Sequence, residues 1–174
     1  MLGRVQSQGN DVDSLLASHA ACLASLMRRQ GALLAVAESC TGGGLAQICT
    51  ELAGSSAWFD RGFVTYSNAA KQDMLGVATE TLAVHGAVSE AVVREMAHGA
   101  IGNSRAGVSV AISGIAGPGG GSADKPVGTV WFAWARRDGA VRVRCERLFG
   151  DRAMVRRQAV LIALDGLIDV VSGR

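Results

Sequence analysis

Apolar and polar positions fall along this chain in blocks of two kinds. In longer blocks the apolar residues recur three and four apart, as on a helix with one buried face. Shorter blocks are apolar almost throughout, as in a buried strand. Asp13 is placed to cap a helix running to about Gln30, with Gly31 as its stop. Leu33 to Ala37 reads as a strand. Leu45 to Leu52 reads as a helix with Leu45, Ile48, Cys49 and Leu52 on one face. Trp58 to Tyr66 is a second strand, Ser67-Asn68 opens a short helix to about Leu75, and Thr79 to Ala83 adds one turn. Ser89, with Glu90 in the first turn, starts a helix to about Ile101. Gly107 to Ser113 is a strongly apolar strand. Thr129 to Ala135 and Val141 to Phe149 are strands joined at Asp138-Gly139, which predicts an antiparallel hairpin. Asp151 caps a last helix to about Val171. Alternating elements with one late hairpin predict a mixed sheet covered by helices on both faces.

Three of the strands end in unusual polar loops: Ser39 to Gly44, Tyr66 to Lys71, and Ser113 to Gly121. Ligands of open α/β sheets bind beyond the carboxyl ends of the strands, so parallel strands would bring these loops to one edge. In the first loop a serine, a cysteine, a threonine and three glycines occupy a strand-to-helix turn. Glycine lets backbone N–H groups approach a ligand, and a hydroxyl or thiol beside such donors has a site for an oxyanion or a phosphate. Ser39 and Cys40 are both nucleophile candidates on this ground. Tyr66 is the only tyrosine and Lys71 one of only two lysines in a chain that otherwise uses arginine. Only lysine of the two can lose its proton near neutral pH, so a buried Lys71 could serve a nucleophile as base; the alternative is an exposed lysine on a short helix. The glycine-dense third loop lacks the lysine of a phosphate-binding Walker loop. It could wrap a phosphate, supply oxyanion donors, or simply cross over.

The length of 174 residues fits one domain, and 49% hydrophobic against 18% charged residues excludes intrinsic disorder. A net charge of +2 gives no general attraction to nucleic acid or membrane. No apolar run approaches the ~18 residues of a spanning helix. The polar start, Met1 to Asn10, has no signal-peptide character, so a loose tail over residues 1–12 and a cytoplasmic location are expected. Cys22, Cys40, Cys49 and Cys145 show no CxxC spacing and are expected to be buried, reduced thiols. His19, His85 and His98 form no zinc pattern. Eight arginines lie between Arg136 and Arg157; those of the hairpin read as a solvated face. Arg152 opposes a helix dipole, which suggests a partner: a substrate phosphate, or a carboxylate such as Asp151 or Glu38.

Taken together, AESCTGGGLA at 37–46, GFVTYSNAAKQDMLGV at 62–77, HGAVSEAVVREMA at 85–97, SGIAGPGGGSADKPVGTV at 113–130 and FGDRAMVRRQAV at 149–160 resemble one family. That family is the C-terminal domain of CinA, the nicotinamide-nucleotide amidases. The resemblance spans nearly the whole chain and implies a single domain of this kind over residues 13–172. It implies an α/β fold: a three-layer α/β/α sandwich with a mixed, mostly parallel sheet of about five strands and one antiparallel hairpin near the C-terminus. The implied reaction is hydrolysis of the carboxamide of nicotinamide mononucleotide to nicotinic acid mononucleotide and ammonia, with neither cofactor nor metal. The motif serine falls on Ser39 as nucleophile, which demotes Cys40. The motif lysine falls on Lys71 as base, the tyrosine on Tyr66, and the residue before GIAGP on Ser113. Substrate contacts are expected from Thr41, Gly42, Gly43, Gly44, Asn68, Gly114, Gly117, Gly119, Gly120 and Arg152. Its partner would be the small-molecule substrate, without nucleic acid or membrane, and the family suggests a homo-oligomer. A catalytically silent nucleotide-binding or regulatory module of the same fold is the alternative.

Overall fold

In the computed structural model the backbone is described over residues 2–174 and side chains from Asp11 onward. Helix α1 (Leu2–Gln30) leads into strand β1 (Leu34–Glu38) and helix α2 (Gly44–Thr50). After a 3-10 turn at Ser55–Ala57 come β2 (Phe59–Val64), α3 (Asn68–Leu75), α4 (Thr79–His85) and α5 (Glu90–Gly102). Strands β3 (Val108–Gly114), β4 (Thr129–Arg136) and β5 (Val141–Arg147) precede the last helix, α6 (Arg152–Ser172). From β1 onward each element lies within a few residues of its expected ends. Helix α1 differs: it begins well before Asp13, which therefore lies inside it rather than capping it. Most of the tail expected over residues 1–12 falls outside the residues whose side chains are described.

The caps expected at the other helices form. Ser67 accepts from the Ala70 N–H, Ser89 from that of Val92, and Asp151 from that of Met154. The sheet order is β2-β1-β3-β4-β5. Strand β1 is parallel to both β2 and β3, whereas β3–β4 and β4–β5 are antiparallel. The sheet is thus half parallel rather than mostly so. No helix lies between β3 and β4, and a parallel return needs a crossover, so the glycine loop turns the chain directly back.

Alternation along the strands sorts side chains by size. Leu34, Val36, Val110, Ile112, Phe132 and Trp134 face one side and pack with α1, α2 and α6. Ala35, Ala37, Ala111, Ala133 and Ala135 face the other, beneath α3, α4 and α5. Short side chains let α5 lie close: the Ser109 hydroxyl of β3 donates to the Ala97 carbonyl at 2.7 Å. Helix α3 is drawn in as tightly. A methyl group added at Gly99 of α5 would stand 2.0 Å from the Leu75 carbonyl oxygen. On the thicker side Gly166 of α6 leaves room for the Trp134 indole, whose N–H donates to Ala163 O at 3.0 Å.

Of the four cysteines expected to be buried, Cys40 and Cys49 are, while Cys22 and Cys145 are exposed on a helix surface and an edge strand. Among the described residues no helix is long and apolar enough to cross a membrane.

Candidate active site

Because β1, β2 and β3 run the same way, the loops that follow them meet at one edge of the sheet. The ladder continues one residue beyond β1 and β2: Ser39 N–H donates to Ile112 O at 3.0 Å and Thr65 N–H to Glu38 O at 2.8 Å. Lys71 stands one turn into α3, on the alanine side of the sheet, and is 1% exposed. Its Nζ lies 3.1 Å from Ser39 Oγ and 2.8 Å from the Thr65 carbonyl oxygen. None of the ion pairs among the described residues involves it. Burial therefore outweighs the smaller opposing influence of the Cys40 thiol and pulls its pKa below the ordinary lysine value. A neutral Lys71 amine keeps one N–H on Thr65 and turns its lone pair to the Ser39 hydroxyl. That is the arrangement of a nucleophile and its base.

Cys40, the next residue, belongs to the core on the opposite side of the sheet. Burial pushes its thiol up to about 11, so it stays protonated at neutral pH. Two adjacent residues thus differ in environment: the Ser39 hydroxyl has the Lys71 amine within hydrogen-bond distance, and the Cys40 thiol lies in the core.

The turn that carries them is built on two glycines. Gly42 and Gly43 have φ of 59° and 93°, the left-handed region that side chains disfavour. Gly43 caps α2 without any side-chain hydrogen bond of its own. The carboxylate of Glu38, 0% exposed at the end of β1, does so from across the turn. Its Oε2 accepts from the N–H groups of Gly43 and Leu45, each at 3.1 Å, and its Oε1 from Ala46 at 2.9 Å.

The resemblance read from the motifs is met by independent matches. The model of the CinA C-terminal domain fits residues 16–171. The chain belongs to the CinA C-terminal domain family. It is 60% identical over 141 residues to the nicotinamide-nucleotide amidohydrolase PncC of Escherichia coli strain K12, covering 81% of this chain and 86% of that protein. The Pseudomonas putida protein of the same name is 54% identical over 146 residues, or 83% and 89% of the two chains. A crystal structure of the competence/damage inducible protein CihA from Agrobacterium tumefaciens superposes with a TM-score of 0.88 at 49% identity, covering 91% and 96%.

Within this CinA-family domain the expected site residues fall into three groups. Ser39 and Lys71 are brought together. Tyr66, Gly117 and Arg152 form a second cluster, in which Arg152 donates to the Tyr66 hydroxyl at 2.7 Å and to Gly117 O at 2.8 Å. The partners of Arg152 are therefore neutral oxygens, not Asp151 or Glu38. Tyr66 is 60% exposed, and its hydroxyl is engaged by Arg152 rather than by the Ser39–Lys71 pair. The third group has other duties or none recorded. Ser113 is buried and donates to Ala87 O at 2.7 Å, tying β3 to the segment before α5. Gly114 lets β3 press against Thr129 and Val130 of β4. Asn68, Gly119 and Gly120 are exposed. Thr41 and Gly44 line a cavity of about 590 Å³ between α1, α2 and α6, which neither Ser39 nor Lys71 reaches.

The motif reading missed three contributors. Thr65 fixes Lys71 through its carbonyl. Arg156, one turn after Arg152, donates to Thr41 O at 2.8 Å and clamps the Ser39 turn from α6. Glu38 left one legible signal: an acid closing an otherwise apolar strand, ahead of a helix start that has no Ser, Asp or Asn at its cap.

Proposed function

We propose that this protein hydrolyses the carboxamide of nicotinamide mononucleotide, giving nicotinic acid mononucleotide and ammonia. The observation that carries the reading is the buried Lys71 amine 3.1 Å from Ser39 Oγ, at the strand edge where ligands of such sheets bind. Relatives named as nicotinamide-nucleotide amidohydrolases at 54–60% identity over most of the chain support the substrate.

Neutral Lys71 takes the Ser39 proton as Oγ attacks the carboxamide carbon. Backbone N–H groups of the Ser39 turn hold the oxyanion. Lys71 returns that proton to the amide nitrogen, the C–N bond breaks, and ammonia leaves. A water then attacks the acyl-serine, giving its proton to Lys71, and the carboxylate product departs as Ser39 is restored. Arg152, bound only to neutral oxygens, offers its charge to the substrate phosphate, and Tyr66 and Gly117 hold it in place. Tyr66 is thereby assigned to holding the substrate. Gly119, Gly120 and Asn68 form the open rim through which the nucleotide enters. We read the protein as cytoplasmic and, by analogy with the family, as a homo-oligomer.

The test is ammonia release from nicotinamide mononucleotide by the purified protein, beside Ser39→Ala. Activity in the native protein that vanishes in the variant is expected. An inactive native protein that still binds the nucleotide would make this domain a binding module instead.

A further inference from the structure

We infer that Glu38 is a positioning residue of this reaction: its buried carboxylate decides which N–H groups of the nucleophile turn face the reacting carbonyl. The inference rests on Ser39 acting as the proposed nucleophile.

Seven of the nine N–H groups from Ser39 to Gln47 can be followed to an acceptor. Ser39 donates to Ile112 O, Gly42 to Ser39 O at 3.0 Å, Gly44 to Thr41 O at 3.1 Å, and Gln47 to Gly43 O at 2.9 Å. Gly43, Leu45 and Ala46 all donate to Glu38. Cys40 and Thr41 are left: among the described residues neither N–H has a backbone acceptor, and that of Cys40 meets only its own thiol sulfur. These two immediately follow the nucleophile, where an oxyanion forming on its target comes within reach of backbone donors.

The carboxylate therefore has two effects. It closes the start of α2 to any anion, because the donors are taken and a second negative charge would face the first. The substrate phosphate is thus kept from the glycine turn and left to Arg152. It also holds the turn by three charge-assisted hydrogen bonds from one rigid point on the sheet, so that only Cys40 and Thr41 present donors not already taken by another residue. Alternation along β1 makes this possible: Glu38 projects to the α2 side while Ser39 meets Lys71 on the other.

Glu38→Gln keeps the shape but turns an amide NH₂ toward N–H donors. Turnover should fall about 10²-fold, as for small misplacements of reacting groups. KM should stay unchanged, and nucleotide affinity measured in the Ser39→Ala background should be kept. The pH midpoint of kcat/KM, set by Lys71, should not move. Glu38→Asp keeps the charge, shortens the reach, and should show the same pattern. Phosphonylation of Ser39 by a fluorophosphonate forms the O–P bond and expels fluoride without needing the nucleotide pocket; its rate should fall in parallel. Its end-point counts competent sites, so turnover can be quoted per folded molecule. Unchanged turnover in both variants would overturn the inference, as would a rise in KM at constant kcat, which would mean that these amides hold substrate. Normal labelling of the native protein without nucleotide hydrolysis would sink the substrate proposal alone, and the labelling ratio would still judge Glu38. A native protein that is not labelled would remove Ser39 as nucleophile and this inference with it.

Discussion

The two faces of the sheet are built from side chains of different size, and they carry different parts of the site. On the alanine face the helix backbones lie near the strands, so a single lysine side chain spans from α3 to the end of β1. On the other face large residues hold α1, α2 and α6 farther out, and the bulk of the apolar core fills the gap. The proposed chemistry sits on the thin side and its support on the thick side. The division passes between neighbours in sequence: Glu38 and Cys40 belong to the thick side, Ser39 to the thin.

Removing the thin side's amine should have the largest effect. Lys71→Met is expected to lower turnover by about 10²–10⁴, and Lys71→Arg should not restore it, because a guanidinium keeps its proton. In the native protein kcat/KM should rise with pH as Lys71 loses its proton, at a midpoint below the ordinary lysine value. The folded state holds that proton less tightly than the unfolded chain. The contribution of this group to stability therefore rises with pH between the folded and the ordinary pKa. A midpoint at or above the ordinary value would show that Lys71 is not the base.

Two glycine substitutions separate the faces more finely. Gly99→Ala forces a methyl against Leu75 of α3, and Gly166→Ala forces one against Trp134. Both should destabilise by overpacking, about 1–3 kcal/mol, read as a lower Tm. Only Gly99→Ala should also lower kcat per folded molecule, because it moves the helix that carries Lys71. Equal kcat losses in the two variants would erase the distinction. The smallest effect is expected at Cys40→Ala, with turnover within about threefold of native because the thiol is protonated and faces the core. An inactive Cys40→Ala beside an active Ser39→Ala would return the nucleophile to Cys40.

Much of this arrangement is legible in the chain because it is local. Caps at Ser67, Ser89 and Asp151 and the hairpin at Asp138-Gly139 depend on a few adjacent residues, and they form as the spacing predicts. The convergence of Ser39 and Lys71 follows from parallel strands alone. What escapes the sequence is set by return geometry. The direction of β4 depends on how a glycine loop closes. Glu38 and Arg156 act on a turn only after it has folded back upon them. The exposure of Cys22 and Cys145 depends on which helix surface and which strand edge remain uncovered.

The Ser39–Lys71 contact has a bearing on the life of the chain before it is folded. Ser39 belongs to the β1–α2 unit and Lys71 to the β2–α3 unit, and neither unit holds both groups. The proposed reactivity is therefore a property of the closed sheet and not of any segment of it. A nascent chain, or one with α3 undocked, carries an ordinary alcohol and an ordinary ammonium ion. On the proposed mechanism the serine becomes reactive only when α3 has docked and desolvated the lysine beside it.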